Sequence, residues 1–514
     1  MTRGRGDKGT GRREGIIILI LCLIAGARVL FFSSVFPVFN NVDEEEHFDL
    51  VCKYARGHVP RTLDSFDAES QRIIDLFGTQ EYLHSPSEYP SGRFPHPGWA
   101  SSPEIVSMIG RSSEAKAANT INTECTQPPV YYALAGAWLD LGRAVGVREG
   151  VLPYWIRFMN ALSLALIVWL GYLFGRRLRP DDAYMRFGIP ILLAFFPQDV
   201  FYSISPDALS PLLFGASLYC LLLIHAGRKS YPFHTLAGIL IAATVLTKWS
   251  NIGILGVLAI VIALQVRKSR GSGDLGRLAV MALAAVIPIA VWMTRNYLVL
   301  GEVTGSAALA ETIGWVRKPF AEMWNHPIFT PSGFAVFWTG LMKSFWRGEF
   351  TWHQVRLASS GMDWFYVIST TVFLLASAVG LLRAKRDDPG RPVLSLGFAA
   401  LGLCAAFLVC ISIAYDFGEC LYPSNECPYL DSGRLALGAL IPLAALYVNG
   451  IGIILSKLRL AKARLGAVMV IAALITLSEL AISRPAFRSE YNLIHIIRPS
   501  GQAETSQTAT TGTR

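Results

Sequence analysis

The sequence predicts an all-α polytopic membrane protein, and three observations carry that reading. Of its 514 residues 52% are hydrophobic and 16% charged, against roughly 25% charged in an ordinary soluble domain. Apolar runs recur at eleven places, most of them long enough for a helix to cross a hydrocarbon core of ~30 Å. Six short clusters beside these runs hold 23 of the 46 Lys and Arg residues, the distribution expected of inward-facing segments. That placement explains the formal charge of +9 through topology and excludes a nucleic-acid partner.

The first cluster, Arg3, Arg5, Lys8, Arg12 and Arg13, precedes the apolar run 16–36. The run exceeds a usual signal core and Ser33 to Pro37 offers no small-x-small cleavage site, so residues 1–15 read as a cytoplasmic N-terminus before an uncleaved anchor. The other clusters are Arg176/Arg177/Arg179/Arg186, Arg228/Lys229, Arg267/Lys268/Arg270/Arg277, Arg383/Lys385/Arg386/Arg391 and Lys457/Arg459/Lys462/Arg464. Spans at 16–36, 153–175, 187–204, 208–226, 232–246, 252–266, 278–298, 364–382, 393–415, 434–456 and 465–483 put every cluster on the cytoplasmic side of an inner membrane. Parity then makes 129–145 a juxtamembrane or re-entrant helix and places 333–346 outside. Two large outer loops, 37–152 and 299–363, therefore cap a membrane domain over 16–483. The polar end, 484–514, reads as a disordered outer tail, and no internal repeat is visible.

Cys22, Cys220, Cys404 and Cys410 lie in spans, whereas Cys52, Cys125, Cys420 and Cys427 fall in outer segments. An oxidising compartment there makes Cys420–Cys427 and Cys52–Cys125 candidate disulfides, with four free thiols as the alternative. No CxxC or close Cys/His pair indicates a structural metal.

The stretch with the most chemistry follows the first span: Asn41-Val42-Asp43-Glu44-Glu45-Glu46-His47-Phe48-Asp49. Consecutive carboxylates raise one another's pKa values. A helix starting near Val42 puts Asp43, Glu46, His47 and Leu50 on one face, with Glu44 and Glu45 pointing elsewhere; an acidic first turn complementing the helix dipole is the plainer reading. Asp207, in Ser205-Pro206-Asp207-Ala208, lies on the same outer side as a second carboxylate or as an ordinary N-cap. Asp199 is a weaker candidate. Cations at the outer ends of spans go against the usual bias: Arg295, Arg434 and Lys248 suit a phosphate at the lipid–water boundary, or simple snorkelling. Arg28 and Arg157 are further intramembrane charges whose roles stay open. The first outer loop also holds Gln127-Pro128-Pro129-Val130-Tyr131-Tyr132 and a proline-rich aromatic run from His84 to Pro103, suited to a lid over a sugar or lipid or to a rigid loop.

Together these residues resemble the GT-C superfamily of polyprenyl-phosphate-sugar-dependent glycosyltransferases. The similarity rests on Asp43-Glu44, Gln127 to Tyr132, Arg157, Asp207 and Arg295-Asn296. A nearer resemblance is to the bacterial membrane family known as domain of unknown function 2142, through Asp43-Glu44-x-x-His47-Phe48, Ser205 to Leu209, and Gly433-Arg434 followed by Pro442. Leu435 departs from the aromatic residue that this branch tends to carry. The resemblance implies a GT-C-like bundle and an inverting transfer of sugar from a polyprenyl-phosphate donor to a glycan, lipid or protein acceptor on the outer face. Asp43 is then the base, helped by Glu44, His47 and Asp207, and Arg295, Arg434 and Lys248 hold the donor phosphate. A divalent cation at the outer carboxylates is compatible with this reading. Rival readings are a polysaccharide polymerase or ligase, and a secondary transporter or flippase of lipid-linked glycan.

Overall fold

The computed structural model describes residues 5–268, 271–418, 420 and 422–497. It is an all-α membrane protein. The chain runs through α1 (Arg5–Val35), α2 (Glu44–Ala55), α3 (Ala68–Phe77), α4 (Pro103–Asn119), α5 (Pro129–Ala144), α6 (Leu152–Leu178), α7 (Ala183–Ala194), α8 (Ser210–His225) and α9 (Tyr231–Val245). It continues with α10 (Gly253–Lys268), α11 (Ser272–Leu300), α12 (Ser306–Thr312), α13 (Phe320–Met323), α14 (Pro331–Arg347), α15 (Ser360–Arg383), α16 (Arg391–Ala414), α17 (Leu440–Lys457) and α18 (Arg464–Ile482). Among the described residues sheet is confined to two-residue pairings, β1 (Val316–Arg317) with β4 (Tyr415–Asp416), and the hairpin β2 (Thr351–Trp352) with β3 (Val355–Arg356). The core is built around α17, in which every residue from Leu440 to Gly452 is buried. Helices α1, α6 and α7 pack side by side, α15 lies on α17, and α11 rides on α9 at the periphery.

Among the described residues nine helices are long and apolar enough to cross a membrane. All eleven expected spans contain helix, but two are short. Tyr231–Val245 has 15 residues and Ala183–Ala194 only 12, about 22 and 18 Å at 1.5 Å per residue. The expected span 187–204 is thus not one helix: α7 stops at Ala194, and the chain goes on through Pro197, a 3-10 turn at Asp199–Tyr202 and a second at Pro206–Ala208. Irregular backbone at membrane depth is tolerated only where protein satisfies it, and here buried side chains do so. Arg28 donates to the carbonyls of Ala194 and Phe196 (3.4 and 3.0 Å), Arg347 to Pro197 (3.3 Å) and Asn160 to Phe201 and Ser203 (3.3 and 2.8 Å).

These contacts give Arg28 and Arg157 structural roles. Arg28 also holds Glu479 through a fork at 2.7–3.2 Å, and the Tyr202 hydroxyl donates to the same carboxylate at 2.6 Å. Arg157 forks onto Glu44 at 2.7 Å on both arms and donates to the carbonyls of Phe36 and Pro37. Glu44 in turn accepts the amides of Phe39 and Ile204 at 3.0 and 2.9 Å. One ion pair therefore ties the end of α1, the start of α2 and the broken crossing into a single unit.

Two other expectations are corrected. The polar tail begins later than residue 484: short helices occupy Arg484–Phe487 and Leu493–Ile497, and the Tyr491 hydroxyl donates to Pro95 at 2.8 Å. The low-complexity stretch after Pro499 lies outside the described residues. The disulfides are absent among the described cysteines. Cys52, Cys125, Cys420 and Cys427 are free thiols, with Cys125 turned to the Asp64 carbonyl (3.7 Å) and Cys420 to that of Ile313 (3.4 Å).

Removing one member of a buried ion pair leaves the other charge uncompensated, at a cost of ~3–5 kcal/mol. Arg157→Ala is expected to lower the thermal unfolding midpoint far more than Arg295→Ala, whose side chain is only half-buried. Equal midpoints for the two detergent-solubilised variants would refute the clamp.

Candidate active site

The charged cluster at the end of the bundle opposite the basic turns starts from the backbone of Asp43. This residue is the N-cap of α2, yet its side chain caps nothing and its φ of 61° is left-handed. That conformation costs a non-glycine residue roughly 1–2 kcal/mol and is best tolerated by Asn and Asp. The helix thus begins at Glu44 and not near Val42, and the Asp43 carboxylate is turned away from its own helix toward Arg434, whose Nη2 lies 2.7 Å from Oδ2.

Arg434 is placed by Gly433. A Cβ at position 433 would stand 2.0 Å from the backbone nitrogen of Phe345, so only glycine lets the 3-10 segment Gly433–Ala439 lie against α14. Ser344 fixes the contact, accepting from the Gly433 amide (2.8 Å) and donating to the Asp431 carbonyl (2.6 Å). Around the guanidinium stand Asp43, Asp207 (3.8 Å) and Glu349 (3.5 Å). Asp207 is fully buried and takes Lys248 at 2.7 Å. Glu349 is held from both sides, for the Phe350 amide donates to buried Asp199 at 2.7 Å and Gly348, at φ 87°, leaves room for that same carboxylate. Asp199 is therefore a support of this loop.

His47 stands one turn along α2, 1% exposed, with Nδ1 2.9 Å from the Tyr132 hydroxyl and 3.9 Å from Glu124. Asn122 carries Glu124 here: its amide group donates to Asp49 (2.7 Å) and to the Glu46 carbonyl (2.9 Å), and its carbonyl accepts the Glu124 amide. Three buried polar atoms of this cluster, His47 Nε2, Asp207 Oδ1 and Arg434 Nε, make no hydrogen bond among the described residues. Such atoms are costly unless something else satisfies them. Asp43 is the accessible carboxylate, with its side chain 32% exposed.

The structure brings Asp43, His47, Asp207, Lys248 and Arg434 together and adds Glu124 and Glu349, which the sequence reading missed. Glu124 had a local signal, since it stands three residues before the Gln127-Pro128-Pro129 segment; Glu349 had none. Glu44 does not join them, because it is 1% exposed and consumed by Arg157 and two backbone amides. Arg295 is also elsewhere. It lies over Trp292 (5.0 Å), donates to the Pro60 carbonyl, and with His58 and Arg61 lines an open cleft beside α11. Among the described residues no group of three or more His, Cys, Asp and Glu is placed to hold a metal ion; Asp43 and Asp207 face Arg434 and Lys248, and Glu44 faces Arg157.

Burial and charge sort the acidic run. Burial pushes the Asp43 pKa up, but Arg434, aided by Lys248, outweighs it and holds this carboxyl below its usual value. Burial raises Glu45 to about 7, Glu46 to about 8 and Glu124 to about 7, each aided by neighbouring carboxylates. Burial also lowers His47 to about 3, so its ring is neutral at physiological pH.

The fold and the site together define a polytopic α-helical membrane protein with a buried ionic cluster at one end of its bundle, roofed by its extramembrane segments. The profile of the family described as "Predicted membrane protein (DUF2142)" matches residues 23–420, and the chain belongs to that family. No curated protein matches it. Among solved structures it is similar to the archaeal oligosaccharyltransferase AglB of Archaeoglobus fulgidus in complex with an inhibitory peptide and a dolichol-phosphate. The identity is 13% and the TM-score 0.39, over 91% of this chain and 56% of that one. A structure of the Archaeoglobus fulgidus enzyme with Zn and sulfate gives 13% identity and a TM-score of 0.37, over 90% and 53%. The chain thus spans about half the length of these structures.

The raised carboxyls make stability fall with pH. Between the ordinary carboxyl range and pH 7–8 the folded state binds more protons than the unfolded one, so raising pH through that interval favours unfolding. The unfolding midpoint is expected to drop between pH 6.5 and 8.5, and Glu46→Gln to flatten the drop. A pH-independent midpoint in this window would show that these groups are not desolvated.

Proposed function

We propose that this protein is a membrane glycosyltransferase of the GT-C type, moving a sugar from a polyprenyl-phosphate donor to an acceptor hydroxyl. The observation that carries the reading is Asp43: an accessible carboxylate, kept ionised by Arg434, beside buried polar atoms that lack hydrogen-bond partners among the described residues. The resemblance of the Asp43 and Gln127–Tyr132 segments to that superfamily supports the same class.

The step is a single displacement with inversion. The acceptor oxygen forms a bond to the anomeric carbon, the bond from that carbon to the phosphate oxygen breaks, and its electron pair leaves with the lipid phosphate. The hydroxyl proton passes to Asp43. A protonated Asp43 releases its hold on Arg434, which then faces the phosphate as its charge grows, the kind of electrostatic assistance that often contributes most to catalysis. Lys248 pairs with Asp207 beside it at 2.7 Å, and neutral His47 orients a polar neighbour through its free Nε2. The donor phosphate role rests with Arg434 and Lys248; Arg295 lies in its separate cleft. The acidic end faces away from the cytoplasm of an inner membrane, opposite the basic turns.

Asp43→Asn keeps a residue that tolerates the left-handed backbone while removing the base. It is expected to cut release of polyprenyl phosphate from a short-chain polyprenyl-phosphate hexose by ~10²–10⁴, with an unfolding midpoint close to that of the parent. Unchanged release by folded Asp43→Asn would remove Asp43 from the chemistry. Sidedness has its own test: with Cys410 and Cys427 replaced by serine, cysteines at Ser87 and Ser332 are expected to react with an impermeant thiol reagent outside spheroplasts, and one at Ser272 to stay unlabelled. Labelling at Ser272 would invert the orientation.

A further inference from the structure

A second charged cavity lies at the opposite, basic end of the bundle, where α8 and α10 end and α9 and α11 begin. It has a volume of about 150 Å³, and its lining includes Arg228, Lys229, His234, Lys268, Asp274 and Arg277, with Gln265 and apolar groups beside them. The turn that builds it depends on Gly227, at φ 99°, whose amide donates to Ile224 while that of Arg228 donates to Leu223. This turn delivers Arg228 and Lys229 side by side.

The cations outnumber the carboxylate beside them. Arg228 lies 5.2 Å over the ring of Phe233, and Arg277 lies 5.6 Å over that of Tyr231. Among the described residues Asp274 is the one carboxylate in the lining, and it is shared by Lys229 (3.1 Å) and Arg277. Arg228 and Lys268 have no carboxylate partner among the described residues. The contrast with the neighbouring cleft at the same end is informative. That cleft is lined by Arg179, Lys457 and Arg464, but Arg179 is paired with Asp388 and Arg464 with Asp182. A general preference for positive charge on one side of a membrane explains both clefts equally; it does not explain why one cleft holds two cations, Arg228 and Lys268, without a carboxylate partner among the described residues while the other pairs both of its arginines.

We propose that the cavity formed by Arg228, Lys229, Lys268 and Arg277 is a binding site for the phosphodiester head group of an anionic membrane lipid. Planar guanidinium groups and an ammonium suit phosphate oxygens, and basic pockets between membrane helices on this side commonly take such head groups. A lipid, rather than a soluble phosphate, fits the surroundings: Val266, Leu275 and Leu283 on the two flanking helices are exposed, giving acyl chains an apolar path away from the cavity. The site is remote from Asp43 and does not depend on the transferase reading.

The test is native mass spectrometry of the full chain in detergent, titrated with phosphatidylglycerol, phosphatidylcholine or inorganic phosphate. The parent protein is expected to retain one phosphatidylglycerol preferentially. Arg228→Ala and Lys268→Ala are each expected to weaken it roughly fivefold, whereas Lys457→Ala, which removes one cation from the neighbouring cleft, leaves it unchanged. Lys268 is exposed, so its variant reads the site even if Arg228→Ala disturbs the turn. Equal loss on Lys457→Ala would reduce the effect to surface charge and overturn the proposal. Retention of phosphatidylcholine as strongly as phosphatidylglycerol, or displacement of the lipid by inorganic phosphate alone, would overturn it as well.

Discussion

The ion pair between Arg157 and Glu44 is the constraint on which the rest of this structure depends. Neither charge is tolerated alone in the bundle, so each must find its full set of partners, and those partners come from three separate stretches of chain. The guanidinium collects the carbonyls left open at the end of α1, and the carboxylate collects the amides of Phe39 and Ile204. The layer outside the membrane is thereby fixed to the helices beneath it by hydrogen bonds that have one solution. Asp43 precedes Glu44 by a single residue. Its left-handed backbone is the link between the clamp and the charged cluster, since Glu44 is turned down toward Arg157 and Asp43 up toward Arg434.

The run of four acidic residues shows how surroundings assign separate roles to identical chemistry. Glu44 is consumed by Arg157, the more accessible Asp43 is held ionised by Arg434, and Glu45 and Glu46 are raised because they are desolvated beside other carboxylates. Environments that push neighbouring carboxyls apart in pKa are a recurring feature of acid–base sites. The same sorting applies to the arginines. Arg28 and Arg347 serve backbone carbonyls of the broken crossing, whereas Arg434 serves carboxylates alone.

Much of this architecture is legible in the sequence. The long apolar helices and the basic turns follow from composition alone, because hydropathy reports the lipid environment directly. The crossing after Ala183 is not legible in that way: Phe195, Phe196, Val200, Phe201 and Ile204 look like membrane helix, and only the tertiary contacts of Pro197 to Ser205 reveal a buried loop. Asp43 and Arg434 stand out in the sequence as unusual charges, but the bond between residues 391 positions apart is a property of the fold. Arg295 and Arg434 look alike, each a cation at the end of an apolar run. What separates them is the neighbour each meets, a carbonyl in one case and three carboxylates in the other.

The contact made by Gly433 has an evolutionary consequence. Most tight packing in a protein interior can be renegotiated, because a larger side chain on one helix is accommodated by a smaller one on its neighbour. At Gly433 the obstacle is the backbone nitrogen of Phe345, and no change of residue at 345 moves it. The position is therefore closed to compensatory substitution, and divergence among relatives that keep this geometry has to proceed around a glycine that cannot drift.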